Sequence, residues 1–282
     1  QCANHLKQLG LALHNYHAAF GTLPYGSGDC CVPLQPPKPY STHGGIWPTM
    51  ILPQIEQTGL HDAIDFNLHT KQLPQQILET VIPTYICPSD AGASDAVLDK
   101  RFHHNPETAM GLWYTGSMGP TNPDFCFYCP ADLQTPGPGN WCCQGHNFGT
   151  RAGLGYPEGT HFGVFGRFHT AVKFSDIRDG LSNTIMLGET LPRQSCFISA
   201  FAVNFNVSPT NIPLNTFDSD GPDGNVPWGT NWYRTSGFKS RHPGGATFCL
   251  ADGSVRFLPE SIDFQLYNEL GSRAGGEVVN LP

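Results

Sequence analysis

The sequence predicts an α+β fold, one amphipathic helix leading into a β-rich, loop-rich body. Three observations predict it. Apolar residues recur at helical spacing near the N-terminus. Two apolar runs flank an Asp-Gly pair near the C-terminus. Gly and Pro number 32 and 25 among 282 residues, while 39% of residues are hydrophobic and 13% charged. That balance is too apolar for a disordered chain and too rich in turn formers for a helical one.

The helix comes first. Cys2, Leu6, Leu9, Leu13, Tyr16 and Phe20 form one stripe at spacings of four and three, so a helix is expected over residues 1–20. Gly21 suits a left-handed C-terminal cap, and Pro24 prevents resumption. No capping residue precedes Gln1, so this helix reads as the continuation of a longer one. Residues 25–45 read as loop, Pro53 to Gln57 as one or two helical turns, and Gln75 to Ile82 as a short helix between prolines. Thr84 to Cys87 reads as a strand ended by Pro88, and 91–170 as an elaborated insertion without clear periodicity. Ser175 to Gly180 suits a helical turn, and Thr184 to Glu189 a buried strand. Phe197, Ser199, Phe201, Val203, Phe205 and Val207 alternate as a strand would. Residues 208–236 read as a polar loop with an acidic centre. Ala246 to Leu250 and Val255 to Leu258 form a hairpin, for which Asp252-Gly253 suggests a type I′ turn with two positive φ values. A last helix is expected over Asp263 to Leu270, capped by Gly271.

Charge excludes one class of partner. The net charge is −8 and the cations are scattered, so a phosphate backbone has no basic surface to meet. No run of about 18 apolar residues is present to span a bilayer. The chain carries ten cysteines, enough for five disulfides in an oxidising compartment, and the vicinal pairs Cys30-Cys31 and Cys142-Cys143 are each expected to bond elsewhere.

Several segments together resemble a large pilin-like family, abundant in planctomycete bacteria and catalogued as a domain of unknown function. They are Cys2 to Pro24, Trp47 to Gln57, Cys87-Pro88-Ser89-Asp90, Asp179 to Glu189, and Ser240 to Phe257. In the last, His242 and Asp252-Gly253 are separated by nine residues, which resembles the family's C-terminal motif. Members begin with a prepilin-type cleavage segment and a long apolar helix. The resemblance implies that residues 1–24 are the lower half of that helix, with Leu6, Leu9, Leu13, Tyr16 and Phe20 as its packing stripe. It implies that they lie on an antiparallel sheet of one head domain, 25–282, carrying a cysteine-rich insertion at about 100–170. It further implies an extracytoplasmic, membrane-anchored subunit of a type IV pilus-like or type II secretion pseudopilus-like filament, with other pilin-like subunits as partners. Cys2 and Cys87 both lie in such segments, and pairing them would tie the helix to the sheet. His242 is expected to fix the hairpin or Asp252.

Candidate chemistry is sparse. Asp218, Asp220, Asp223 and Asn225 could curl around calcium, although Pro222 and the lack of a later Glu depart from an EF-hand loop. Cys126, Cys129, Cys142, Cys143 and His146 could hold zinc, but an oxidising compartment favours disulfides. His14 and His17 share a helical face and suit packing or hydrogen bonding better than a metal. No c-type haem motif, nucleotide loop, hydrolase elbow or zinc-protease motif occurs, so no catalytic residue and no enzyme is predicted. Glu189, Asp176, Asp179 and Asp252 offer carboxylates that nothing in the sequence brings together. The alternative reading is a glycan- or solute-binding module using Trp113-Tyr114, Trp228 and Trp232-Tyr233.

Overall fold

The computed structural model describes residues 1–27, 45–68, 72–99, 101, 108–122, 126–137, 139–146, 162–166, 171–202, 206–218, 232–277 and 279. Helix α1 spans Cys2–Phe20 and ends at Gly21, whose φ of 73° lets its N–H reach His17 O at 2.8 Å. Gln1 makes no side-chain cap bond. Five short helices follow: α2 (Trp47–Met50), α3 (Thr58–Ala63), α4 (Gln75–Leu78), α5 (Trp232–Thr235) and α6 (Phe264–Glu269).

The strands are β1 (Val97–Leu98), β2 (Ala109–Met110), β3 (Tyr114–Gly119), β4 (Thr121–Asn122), β5 (Gly145–His146), β6 (Ile185–Glu189), β7 (Val207–Pro209), β8 (Gly245–Leu250) and β9 (Val255–Pro259). Five of them make the main sheet, in the order β7-β3-β6-β8-β9. Its pairs are antiparallel except β3 with β7, which run parallel at the edge.

The sheet is covered on both faces, and β8 shows how. Its Ala246, Phe248 and Leu250 join Phe238, Tyr267 and Leu270 in one cluster. Cys249, and Ala251 just beyond the strand, join Leu6, Leu9 and Leu13 in another. The two-residue alternation of a strand thus packs α1 on one side and α6 on the other. Leu6, Leu9 and Leu13 are fully buried, each contributing roughly 1.5–3 kcal/mol of apolar burial. Gly10 brings the helix unusually close: a Cβ there would stand 2.6 Å from Cys249 Sγ. Polar residues pin the same helix. Lys7 Nζ donates to Gly253 O at 2.7 Å and His14 Nε2 to Ala251 O at 2.9 Å. His17 Nε2 accepts from Phe174 N, and both histidines stack on the Phe174 ring.

Several expectations need correction. Phe20 leaves the buried stripe: it is 61% exposed and rests on Tyr16. Thr84 to Cys87 is not a strand, because Pro83 opens a 3-10 turn over Pro83–Tyr85. The helix after Pro74 stops at Leu78. The alternating stretch from Phe197 is strand only from Val207; Ile198, Ala200 and Ala202 between the aromatics are as buried as the aromatics, and Val203 and Phe205 lie outside the described residues. In the hairpin only Gly253 has positive φ, at 79°. The turn is closed by Gly253 N to Leu250 O, and Asp252 Oδ1 accepts from Ser254 N. That is a turn followed by one left-handed residue, not a type I′ pair. Gly271 has no positive φ; it is needed because a side chain there would overlap Thr210.

Candidate functional site

Four segments far apart in sequence meet at one point. Cys2, in the first turn of α1, is bonded to Cys87, 85 residues later. Beside this bridge lies Glu189, the last residue of β6. The neighbouring Gly188 faces Phe238 and Phe248 on the α6 side of the sheet, so Glu189 points to the α1 side. Its Oε1 is 3.5 Å from Cys87 Sγ and 3.2 Å from His242 Nε2. His242 Nε2 is itself 3.8 Å from Cys87 Sγ. The second Glu189 oxygen accepts from Thr247 N at 2.8 Å. Ser240 bonds the same carboxylate and also takes the His242 backbone N–H at 3.1 Å, which fixes the loop that carries the imidazole.

The bridge is walled on the helix side. Ser89 Oγ is 3.3 Å from Cys2 Sγ. His5 Nδ1 donates to Ile86 O at 2.8 Å, and Tyr114 O–H donates to the same carbonyl at 3.3 Å. Glu189 is 1% exposed at its side chain and His242 28%, so the pair has a buried acid and a solvent-facing base. Burial pushes the Glu189 carboxyl upward, against the Thr247 N–H, Ser240 and His242, all of which favour the carboxylate. The Tyr114 phenol is also raised, by burial first and then by the Glu189 charge. The two sulfurs, the carboxylate and the imidazole lie within 4.8 Å of one another, so these four residues are the ones that could hold a metal among the described residues.

A family model described as a protein of unknown function (DUF1559) matches residues 1–265. This chain belongs to the DUF1559 family. No curated protein and no solved structure matches it.

In this DUF1559 protein the other predicted site residues are scattered. Asp252 caps its own turn, and His242 reaches Glu189 and not the hairpin, because Lys239 N bonds Glu189 O and so sets the following residues beside the end of β6. Asp176 accepts from Lys173 N, while Asp179 accepts from Gly275 N and Gly276 N. Asp218 is buried and its charge favours the ammonium of Lys239; Asp220, Asp223 and Asn225 lie outside the described residues. Cys126 is bonded to Cys143 and Cys129 to Cys142, so these sulfurs form bridges. The side chain of His146 lies outside the described residues. Cys249 keeps its thiol, so five bridges do not form. Cys30 and Cys31 lie outside the described residues. Trp113 and Tyr114 are fully buried and cannot stack on a ligand, whereas Trp228 and the side chains of Trp232 and Tyr233 lie outside the described residues.

Two buried cations were not anticipated. Lys239 Nζ donates to three carbonyls, of Arg234, Thr235 and Gly237, and burial pulls its pKa down to about 7. Arg101 Nη1 donates to the carbonyls of Pro192, Ser195 and Ile198. Each gathers carbonyls of irregular segments around one buried cation, and neither carries a spacing signal. A separate cavity of about 510 Å³ opens near the end of α1, lined by Tyr16, Tyr25, Met50, His61 and Phe66 among others.

Proposed function

We propose that this chain is the extracytoplasmic head of a pilin-like, non-enzymatic assembly subunit, joined to other such subunits in a type IV pilus-like or pseudopilus-like envelope filament and anchored by a membrane helix. The observation that carries the reading is the seating of α1. One face is sunk into the sheet and bolted at its first turn by the Cys2–Cys87 bridge. The opposite face, with Ala3, Asn4, Gln8, Leu11, Asn15 and Ala18, is exposed and carries a single charge, Lys7, whose ammonium is tied to Gly253 O; Leu11 is 60% exposed. Such a face suits packing against a neighbouring helix. Three bridges support an oxidising compartment.

The test is the full-length protein in membranes, imaged for filaments and cross-linked for neighbours. Leu11→Asp is expected to leave the head's unfolding transition unchanged and to abolish higher assemblies. A wild type that stays monomeric at every concentration would end the reading.

A second reading, a solute-binding module held at the envelope, is favoured by the cavity beside Tyr16 and Tyr25. Its apolar, aromatic lining suits a small, largely apolar ligand. Small-molecule screening by thermal shift, with Met50→Trp to fill the cavity, separates the two.

A further inference from the structure

We propose that Cys2, Cys87, Glu189 and His242 form a redox-gated site for one divalent, thiolate-preferring cation of the zinc type. The proposal stands apart from filament assembly. A tetrahedral zinc ion with bonds of about 2.0–2.3 Å places its donors roughly 3.3–3.8 Å apart. Cys87 Sγ, Glu189 Oε1 and His242 Nε2 already stand 3.5, 3.8 and 3.2 Å from one another. Three donors are at ligand spacing, and only the covalent Cys2–Cys87 bond holds the fourth too near its partner. All four lie within a sphere that one ion spans.

The support around the donors is that of a built site. Thr247 N–H and Ser240 hold the Glu189 carboxylate, and Ser240 also fixes the His242 backbone. Outer partners of this kind orient ligands and raise affinity. The donors sit on α1, after the Pro83 turn, at the end of β6 and on the segment just before β8, so their spacing is held by the packed core. His242, the least buried of the four at 28% side-chain exposure, marks the way in. A structural account gives the Glu189 carboxylate its partners in Thr247 N–H, Ser240 and His242; it does not explain why a buried carboxylate, at a desolvation cost, is set against the sulfurs as well.

Opening the site is a two-electron step. A dithiol reductant gives up two electrons and two protons and becomes a disulfide. The Cys2–Cys87 bond breaks and both residues become thiols. Cation entry releases the two thiol protons, with the Glu189 proton where one is bound, and forms two metal–sulfur bonds, one metal–nitrogen and one metal–oxygen bond. With the bridge closed only the carboxylate and the imidazole remain to bind, which is too few for a tight site.

The experiment titrates cobalt(II) into the purified chain, oxidised and then reduced. A phosphine serves as reductant, because dithiols chelate the probe. The reduced chain is expected to gain thiolate-to-cobalt charge-transfer absorption and the visible bands of a tetrahedral site; the oxidised chain is expected to stay colourless. Glu189→Gln and His242→Ala are each expected to weaken this cobalt by more than about 10-fold, and Cys2→Ser to remove it. Reduced Cys126, Cys129, Cys142 and Cys143 can capture a second ion, but its all-sulfur spectrum ignores His242→Ala. A spectrum untouched by His242→Ala and Glu189→Gln yet lost on Cys129→Ser overturns the proposal. So does equal uptake by the oxidised chain. So does a reduced chain that loses its circular dichroism and is not restored by one equivalent of zinc.

Discussion

Replacing Gly10 by Ala should destabilise this protein, and the same replacement should stabilise it once Cys249 is also Ala. In an ordinary helix interior Gly→Ala gains roughly 0.5–1 kcal/mol from backbone entropy. Here the new Cβ would stand 2.6 Å from Cys249 Sγ, closer than such atoms approach. Cys249 is fully buried on β8, so its sulfur has nowhere open to swing and the helix must lift. Overpacking of this size costs about 1–3 kcal/mol, so the single variant should lose about 1 kcal/mol net. With Cys249→Ala the next neighbours are Gly253 Cα at 3.6 Å and Met186 Cε at 3.9 Å, which are ordinary contacts. The clash then vanishes and only the helix gain remains.

The assay is urea unfolding of the four members of the cycle, disulfides intact, followed by tryptophan fluorescence. The expected signature is a change of sign of the Gly10→Ala effect between backgrounds, with a coupling of about 1–3 kcal/mol. Additive effects would mean that α1 does not sit against β8 at this depth, and the account of the core would fail with it.

Two further outcomes follow from the site. Replacing Cys2 and Cys87 together by Ala opens a loop of 85 residues, and should cost about 4–5 kcal/mol by chain entropy; a loss under about 1 kcal/mol, read by the same urea transitions, would show that the bridge does not restrain the unfolded chain. Glu189 has a folded pKa above its unfolded one, so its contribution to stability is full below about pH 4 and is lost as pH rises through the folded value. Glu189→Gln should therefore gain on the wild type steadily as pH is raised from about 4, and a difference that is flat with pH in parallel urea series would refute the burial assignment.

The parts legible in the sequence were those whose pattern has a period and one covered face. The α1 stripe is such a case: Leu6, Leu9, Leu13 and Tyr16 are the residues the core takes. The hairpin was legible from its apolar runs, although the turn type was not, since Asp-Gly also serves a turn with one left-handed residue. Strand β3 was hidden inside a stretch that read as insertion. All six of its residues are buried, so no polar face alternates with an apolar one. Two of them are glycines, and Gly116 is there because a side chain would run into the ring of Phe165. The Phe197 stretch failed in the opposite direction, offering alternation in residue type where every described position is buried.

The candidate site lies beyond any such pattern. Glu189 and His242 are 53 positions apart, and what joins them is the pairing of β6 with β8, which sets Gly188 beside Phe248. Cys2 reaches them only because α1 lies flat on that pair. Gly10 is eight residues, or about 12 Å, along the same helix from Cys2, so the depth at which Gly10 meets Cys249 also fixes where Cys2 ends. A helix lifted at Gly10 would carry Cys2 away from Cys87 and strain the bridge. The Gly10→Ala chain should therefore be reduced more readily than the wild type, while Gly10→Ala with Cys249→Ala should not. If both are reduced at the wild-type rate, helix seating and the sulfur site are independent, and the convergence of four segments on one bridge is a matter of packing alone.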